Sequence, residues 1–223
     1  MKSFALLLAL VILVAKPAHA QIDKVEALPE FYAEAVYYEM ARDYLNNDIN
    51  FGEPDTDVVY ARIAKMIRMG YIREATSLFA ILDADVMTDA RAARTALMLK
   101  FLEQKTAEAC LDIQAMSQSF SDAAWWADLK LFCDTYYAMD EGVSEESNET
   151  DPPPSFTYYL AANPILDDSM DLDTLGTLSP MEIGLLLAAN RFDSSDLIAR
   201  LGRWPTDQIP GLILSISQTI EGS

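Results

Sequence analysis

The sequence predicts an all-α fold, a short solenoid of helical hairpins followed by a smaller helical region. Three observations carry that reading. The stretch from Val58 to Met116 reads as two helix-turn-helix units, whose second helices open with Arg73-Glu74-Ala75 and Ala107-Glu108-Ala109. These openings lie 34 residues apart, a period at which stacked helical hairpins recur. Superposed at that offset, Ile63 matches Leu97, Ile67 matches Phe101, Ala75 matches Ala109, Phe79 matches Ile113 and Leu82 matches Met116. One apolar stripe is thus written twice. No segment carries the alternation and hairpin turns of β-strands.

Taken from its start, the chain opens with Lys2, an apolar run from Phe4 to Val14, Lys16-Pro17 and the small-x-small end Ala18-His19-Ala20. Residues 1–20 therefore read as a secretory signal peptide, cut before Gln21. The run is shorter than the roughly 20 residues a membrane helix needs, and no later stretch is long and uncharged enough, so no membrane anchor is expected. Cutting removes His19, the sole histidine, with Lys2 and Lys16, which leaves 14 basic against 35 acidic residues, or −21, where the whole chain carries −19. Such a charge opposes binding to nucleic acid or anionic lipid, which rests on neutralising phosphates. Basic protein partners, or divalent cations held diffusely, fit better. A hydrophobic content of 51% argues against global disorder.

From Val25 to Tyr44 apolar residues, among them Val36 and Met40, recur at helical spacing, and one helix is expected from about Pro29 to Leu45. Asn46 to Pro54 has the turn chemistry of a loop, ending at an N-cap near Asp55 or Thr56. The first unit places helices at Val58–Met69 and Ile72–Leu82 around Gly70-Tyr71, with Gly70 suited to a left-handed C-terminal cap. The second uses Asp89–Leu102 and Thr106–Met116, capped by Thr88 or Asp89. It departs from the first in having Gln104-Lys105 for Gly70-Tyr71, and Asp112 where Leu78 would repeat. A third unit starts at Ser121 and runs through Trp125, Trp126, Phe132 and Tyr137, and helix signals stop at Asp140. These elements make residues 21–140 a helical-repeat domain.

Residues 141–155 form an acidic, proline-rich linker, and residues 156–223 a small C-terminal helical region. Ser179-Pro180-Met181-Glu182 is a helix start with Ser as N-cap, Pro at the first helical position and Glu completing a capping box. Further helices are expected at Asp193–Leu201 and Gln208–Ile220.

Cys110 and Cys133 stand at almost equal distances on either side of a turn near Phe120-Ser121-Asp122, so antiparallel helices joined there would bring them level. In an exported chain a disulfide is the default, with two separate buried thiols or a redox pair as alternatives. The spacing is far from C-x-x-C.

Gly70-Tyr71-Ile72-Arg73-Glu74-Ala75 resembles the turn and second-helix start of a tetratricopeptide repeat, where a small Ala lets neighbouring helices approach closely. Ala109-Cys110 on one helix, followed by Trp125-Trp126 and Phe132-Cys133 on the next, resembles a family of exported tetratricopeptide-like proteins of alphaproteobacteria. The resemblance spans Tyr60 to Tyr137, with Leu178 to Asn190 more weakly, and implies a fold and a periplasmic location but no activity.

Without histidine the mature chain cannot build Ser-His-Asp or Cys-His catalytic sets, and two cysteines cannot make a zinc cluster. No phosphate-binding glycine pattern occurs. Carboxylate-only chemistry on cell-wall glycans survives as an alternative, but among 35 acidic residues no pair stands out. Asp171 to Glu182 matches a calcium loop in part, with Asp173 at its third position and Gly176 at its sixth. Leu175 offers no ligand at the fifth position and Glu182 is explained by the capping box, so a divalent-cation-binding module stands only as a further alternative. No cofactor, metal or catalytic residue is assigned. Trp125 and Trp126 belong to an aromatic cluster with Phe132, Tyr136 and Tyr137; adjacent helical residues point about 100° apart, so one of the two tryptophans should be exposed and serve as the partner-binding candidate. The expected function is a non-enzymatic scaffold or adaptor of the cell envelope that holds a partner segment along the concave face of the stack. An unpaired end of such a stack exposes apolar surface, which leaves room for an oligomer.

Overall fold

The computed structural model describes residues 18–30, 35–47, 55–140, 178–188 and 210–221. Within them the chain folds into helices α1 (Ala18–Glu26), α2 (Ala35–Asn47), α3 (Thr56–Arg68), α4 (Ile72–Ile81) and α5 (Ala90–Leu102). There follow α6 (Thr106–Ala115), α7 (Ser117–Phe120), α8 (Ala124–Asp140), α9 (Pro180–Ala188) and α10 (Gly211–Glu221). The described residues contain no strand, and the fold is all-α. The expected linker at 141–155, the acidic stretch at 171–177, the expected helix at 193–201 and residues 1–17 of the expected signal peptide lie outside the described residues.

Two hairpins, α3–α4 and α5–α6, begin with the same device. Asp55 accepts a hydrogen bond from the Asp57 N–H at 2.9 Å, and Asp89 from the Arg91 N–H at 2.8 Å. Each satisfies a helix-start donor that would otherwise be orphaned. The turns also match bond for bond. Tyr71 N–H donates to the Met66 carbonyl at 2.8 Å and Gly70 N–H to Ile67 at 2.9 Å. The corresponding bonds 34 positions later are Lys105 N–H to Lys100 at 2.9 Å and Gln104 N–H to Phe101 at 3.0 Å. Gly70 takes a left-handed φ of 84° and Gln104 one of 59°, so Gln104 does a glycine's work despite its Cβ. The other departure is also resolved. Where the first hairpin buries Met66 and Leu78, the second pairs Lys100 with Asp112 at 2.5 Å, so two apolar positions are exchanged together for an ion pair.

Cys110 and Cys133 form a disulfide that ties α6 to α8, with their Cα atoms 5.5 Å apart. The short α7 and the turn at Ser121-Asp122 bring the two helices level. Closing a loop across a separation of 23 residues stabilises the fold by about 3 kcal/mol, mainly by restricting the unfolded chain.

Of the helix expected from about Pro29 to Leu45, Pro29 and Glu30 stand outside any helix and α2 covers the part from Ala35 onward. Proline lacks an N–H and disfavours helical geometry at the residue before it. Accordingly α1 closes with Leu28 N–H donating to Val25 at 3.2 Å. In α2 the phase of the buried stripe differs from that expectation: Tyr38, Ala41 and Leu45 are buried, whereas Val36 and Met40 are 68% and 62% exposed. The break is held by Lys65 of α3. Its ammonium donates to the carbonyls of Glu26 and Leu28, both at 2.8 Å, and to Glu30 Oε1 at 3.0 Å. Three donors meet three acceptors, which is what permits a lysine to be fully buried.

The C-terminal helices complete the core begun by the hairpins. In α9 every residue from Ile183 to Ala188 is buried, and its most extensive packing is against α5. A Cβ at Gly184 would stand 3.0 Å from Phe101 Cβ, so the two backbones approach closely there. Helix α10 packs on α3. Its first residue, Gly211, donates its N–H to the Glu30 carbonyl at 2.9 Å and lies where a Cβ would collide with the Tyr38 hydroxyl and the Met69 carbonyl.

Two outcomes test this account. Lys65→Met keeps the volume but strands two carbonyls and Glu30; urea unfolding should show a loss of about 2–4 kcal/mol. Burial pushes the Glu30 carboxyl up, but the Lys65 hydrogen bond and the charges of Arg68 and Lys65 outweigh it and hold the carboxyl below its ordinary 4.5. A depressed carboxyl contributes stability above its ordinary value and loses it as pH falls through the folded one, so stability should drop below pH 4.5, less steeply in Glu30→Gln. Separately, Gln104→Gly should raise stability by about 1 kcal/mol, read from the thermal melt, because glycine adopts the left-handed turn without steric cost.

Candidate functional site

One face of α5 carries Arg91, Arg94 and Met98, spaced three and four residues apart and so aligned along the helix. Together with Ala64, Ile67 and Arg68 from α3, Trp125 from the start of α8, and Ser179, Pro180 and Met181 at the start of α9, they enclose a cavity of about 490 Å³. The local reasons for each wall are plain. Asp89 fixes the first turn of α5, and with it the direction of Arg91 and Arg94. At the start of α9 the predicted capping box forms: Ser179 N–H donates to Glu182 Oε2 at 2.7 Å, and Glu182 N–H to Ser179 Oγ at 3.3 Å. Glu182 is therefore engaged at its own helix end. Of the acidic stretch from Asp171 to Glu182, only Leu178 onward belongs to the described residues.

The two tryptophans part company. Trp126 is buried, 5.9 Å from Phe120 and 5.5 Å from Trp125 between ring centroids, the latter pair edge to face. Trp125 is only partly buried and forms a wall of the cavity. Of the remaining aromatic cluster, Phe132 is buried against Phe101, while Tyr136 and Tyr137 are 36% and 40% exposed and are not core. The disulfide of Cys110 and Cys133 is buried and not on the cavity wall.

The three arginines differ in their commitments. Arg68 pairs with Glu26 at 2.7 Å and Glu30 at 2.8 Å. Arg91 pairs with Asp57 at 2.6 Å and lies over the Tyr60 ring, 4.0 Å from its centroid. Burial pushes the Tyr60 phenol up, Asp89 adds to the effect and Arg91 opposes it, so the ring stays neutral beneath the guanidinium. Arg94 is exposed and makes no ion pair or hydrogen bond among the described residues. Among the described residues no carboxylate lines the cavity. No group of three or more His, Cys, Asp or Glu side chains is placed to hold a metal ion among the described residues, and none of the described helices is long and apolar enough to cross a membrane.

Sequence reasoning pointed to the tryptophan pair and missed Arg68, Arg91, Arg94 and Met98. The available signal was their alignment on α5, masked by attention to the apolar stripe on the opposite, core-facing side. Comparison with protein-family models, with curated proteins and with solved structures finds no match to this chain.

The different roles of the two indoles are measurable. Trp126→Ala should cost about 3–5 kcal/mol in chemical unfolding, the range for emptying a large buried aromatic site. Trp125→Ala, on the cavity wall, should cost under about 1.5 kcal/mol and leave the fold intact by circular dichroism.

Proposed function

We propose that this chain is a non-enzymatic adaptor of the bacterial periplasm, of the exported tetratricopeptide-like kind, which holds a segment of a partner protein in a cell-envelope assembly. The observation that carries the reading is the cavity beside Trp125, an apolar recess with an aromatic wall and a guanidinium, that of Arg94, without an ion pair among the described residues. Such recesses anchor single side chains of a partner, and Trp, Tyr and Arg supply most of the energy at protein interfaces. The disulfide accords with an oxidising compartment. A partner laid along an open groove is the less suitable mode here, because α9 already covers α5, whereas the recess at the start of α9 offers space.

The test is site-specific crosslinking in the envelope of the native cell. With a photo-crosslinking residue at Met98, one envelope protein should be captured, and capture should fall by about tenfold when Trp125→Ala is added. Capture of nothing specific, or capture indifferent to Trp125, would overturn the adaptor reading.

A further inference from the structure

The charge of the cavity runs against the charge of the chain. With 35 acidic and 16 basic residues overall, an average patch of this protein is acidic. Among the described residues the cavity lining has three arginines and no carboxylate. Two of those arginines are occupied, Arg68 by Glu26 and Glu30 and Arg91 by Asp57 and the Tyr60 ring. Arg94, without a partner among the described residues, stands between them and Met98 on the same face of α5. Its neighbours Ile67, Met98, Trp125, Pro180 and Met181 make the recess apolar below the charge.

From this arrangement we infer the chemistry of the partner segment, resting on the adaptor reading: the recess takes a large apolar side chain beside Trp125, and Arg94 takes a neighbouring carboxylate of the same segment. The volume, about 490 Å³, falls within the roughly 300–1,000 Å³ of small binding pockets and suits a side chain or two rather than a folded surface. Arg meets carboxylates with two parallel donors. The net charge of −19 sets a second condition. Beyond a screening distance of about 10 Å at ordinary salt, local and global fields separate. A polyanion is repelled by the surrounding surface, whereas a single acidic residue in an otherwise neutral or basic segment reaches Arg94 without that cost. The segment is therefore acidic at one position only.

The experiment is calorimetric titration of the mature, disulfide-bonded protein with three blocked peptides of neutral sequence, which carry Leu-Glu-Phe, Leu-Gln-Phe or Leu-Lys-Phe at their centres. The Glu peptide should bind at least about tenfold more tightly than the Gln peptide, the ratio expected of a charge-assisted pair. Arg94→Glu, a surface substitution, should erase that preference and turn it toward the Lys peptide, while Trp125→Ala should weaken all three by a similar factor. Octanoate serves as the small-molecule arm. A Glu-to-Gln ratio unchanged by Arg94→Glu would overturn the inference, and so would octanoate binding as tightly as the Glu peptide. If none of the peptides binds while Met98 still crosslinks to one envelope protein, the inference fails and the adaptor reading stands. If both experiments are blank, both fall.

Discussion

The described structure depends on one buried ammonium. Lys65 reaches from α3 to the Glu26 and Leu28 carbonyls at the end of α1, and in the same step binds Glu30, whose own carbonyl receives the N–H of Gly211 at the head of α10. Three stretches far apart in the chain are thus fastened at one point. The constraint is strict because a desolvated charge tolerates no missing acceptor. Arg68, three residues on, adds its pairs to the same two glutamates and carries the network to the edge of the cavity. The scaffold and the candidate site therefore share residues, and the direction of Arg68 is set by structural needs.

That sharing explains why the three guanidiniums are not equivalent. Two are spent on holding the fold: Arg68 locks the N-terminal segment, and Arg91 bridges the starts of α3 and α5 through Asp57. Exposed pairs of the latter kind contribute little, typically under about 1 kcal/mol, so their value lies in geometry more than in stability. Arg94 sits on the same helix face with no such duty. Lys24 and Arg73 likewise make no ion pair among the described residues, but Arg94 stands on the wall of a recess lined by apolar side chains, which supplies the context in which its charge has use.

Much of the fold was legible because it is locally encoded. The two hairpins, the caps at Asp55 and Asp89, the turn glycine at Gly70, the capping box at Ser179 and Glu182, and the pairing of Cys110 with Cys133 all follow from residues within a turn or two, or from a symmetric spacing. What escaped was tertiary. Periodicity alone carries one helix through Pro29, since the stripe looks continuous until the Lys65 anchor and the altered phase at Tyr38, Ala41 and Leu45 are seen. The apolar run of α9 reads as an ordinary buried side, and nothing local says that it is buried all round. The cavity was invisible for the same reason. Its walls come from α3, α5, α8 and α9, and only packing brings Arg94 near Trp125 and Met181.

The position of α9 also bears on how the chain reaches this state. Its contacts with α5 join residues some eighty positions apart, which raises the contact order well above that of a helical array built from neighbours alone. A polypeptide emerging N-terminus first presents both hairpins before the helix that covers Phe101 and Leu102 arrives. During that interval an apolar strip lies open to solvent, and intermediates of that kind are prone to association. Completion of the core is thus a late event that waits on residues 180–188, and the hairpins, however well formed on their own, spend their first moments as a surface in need of a lid.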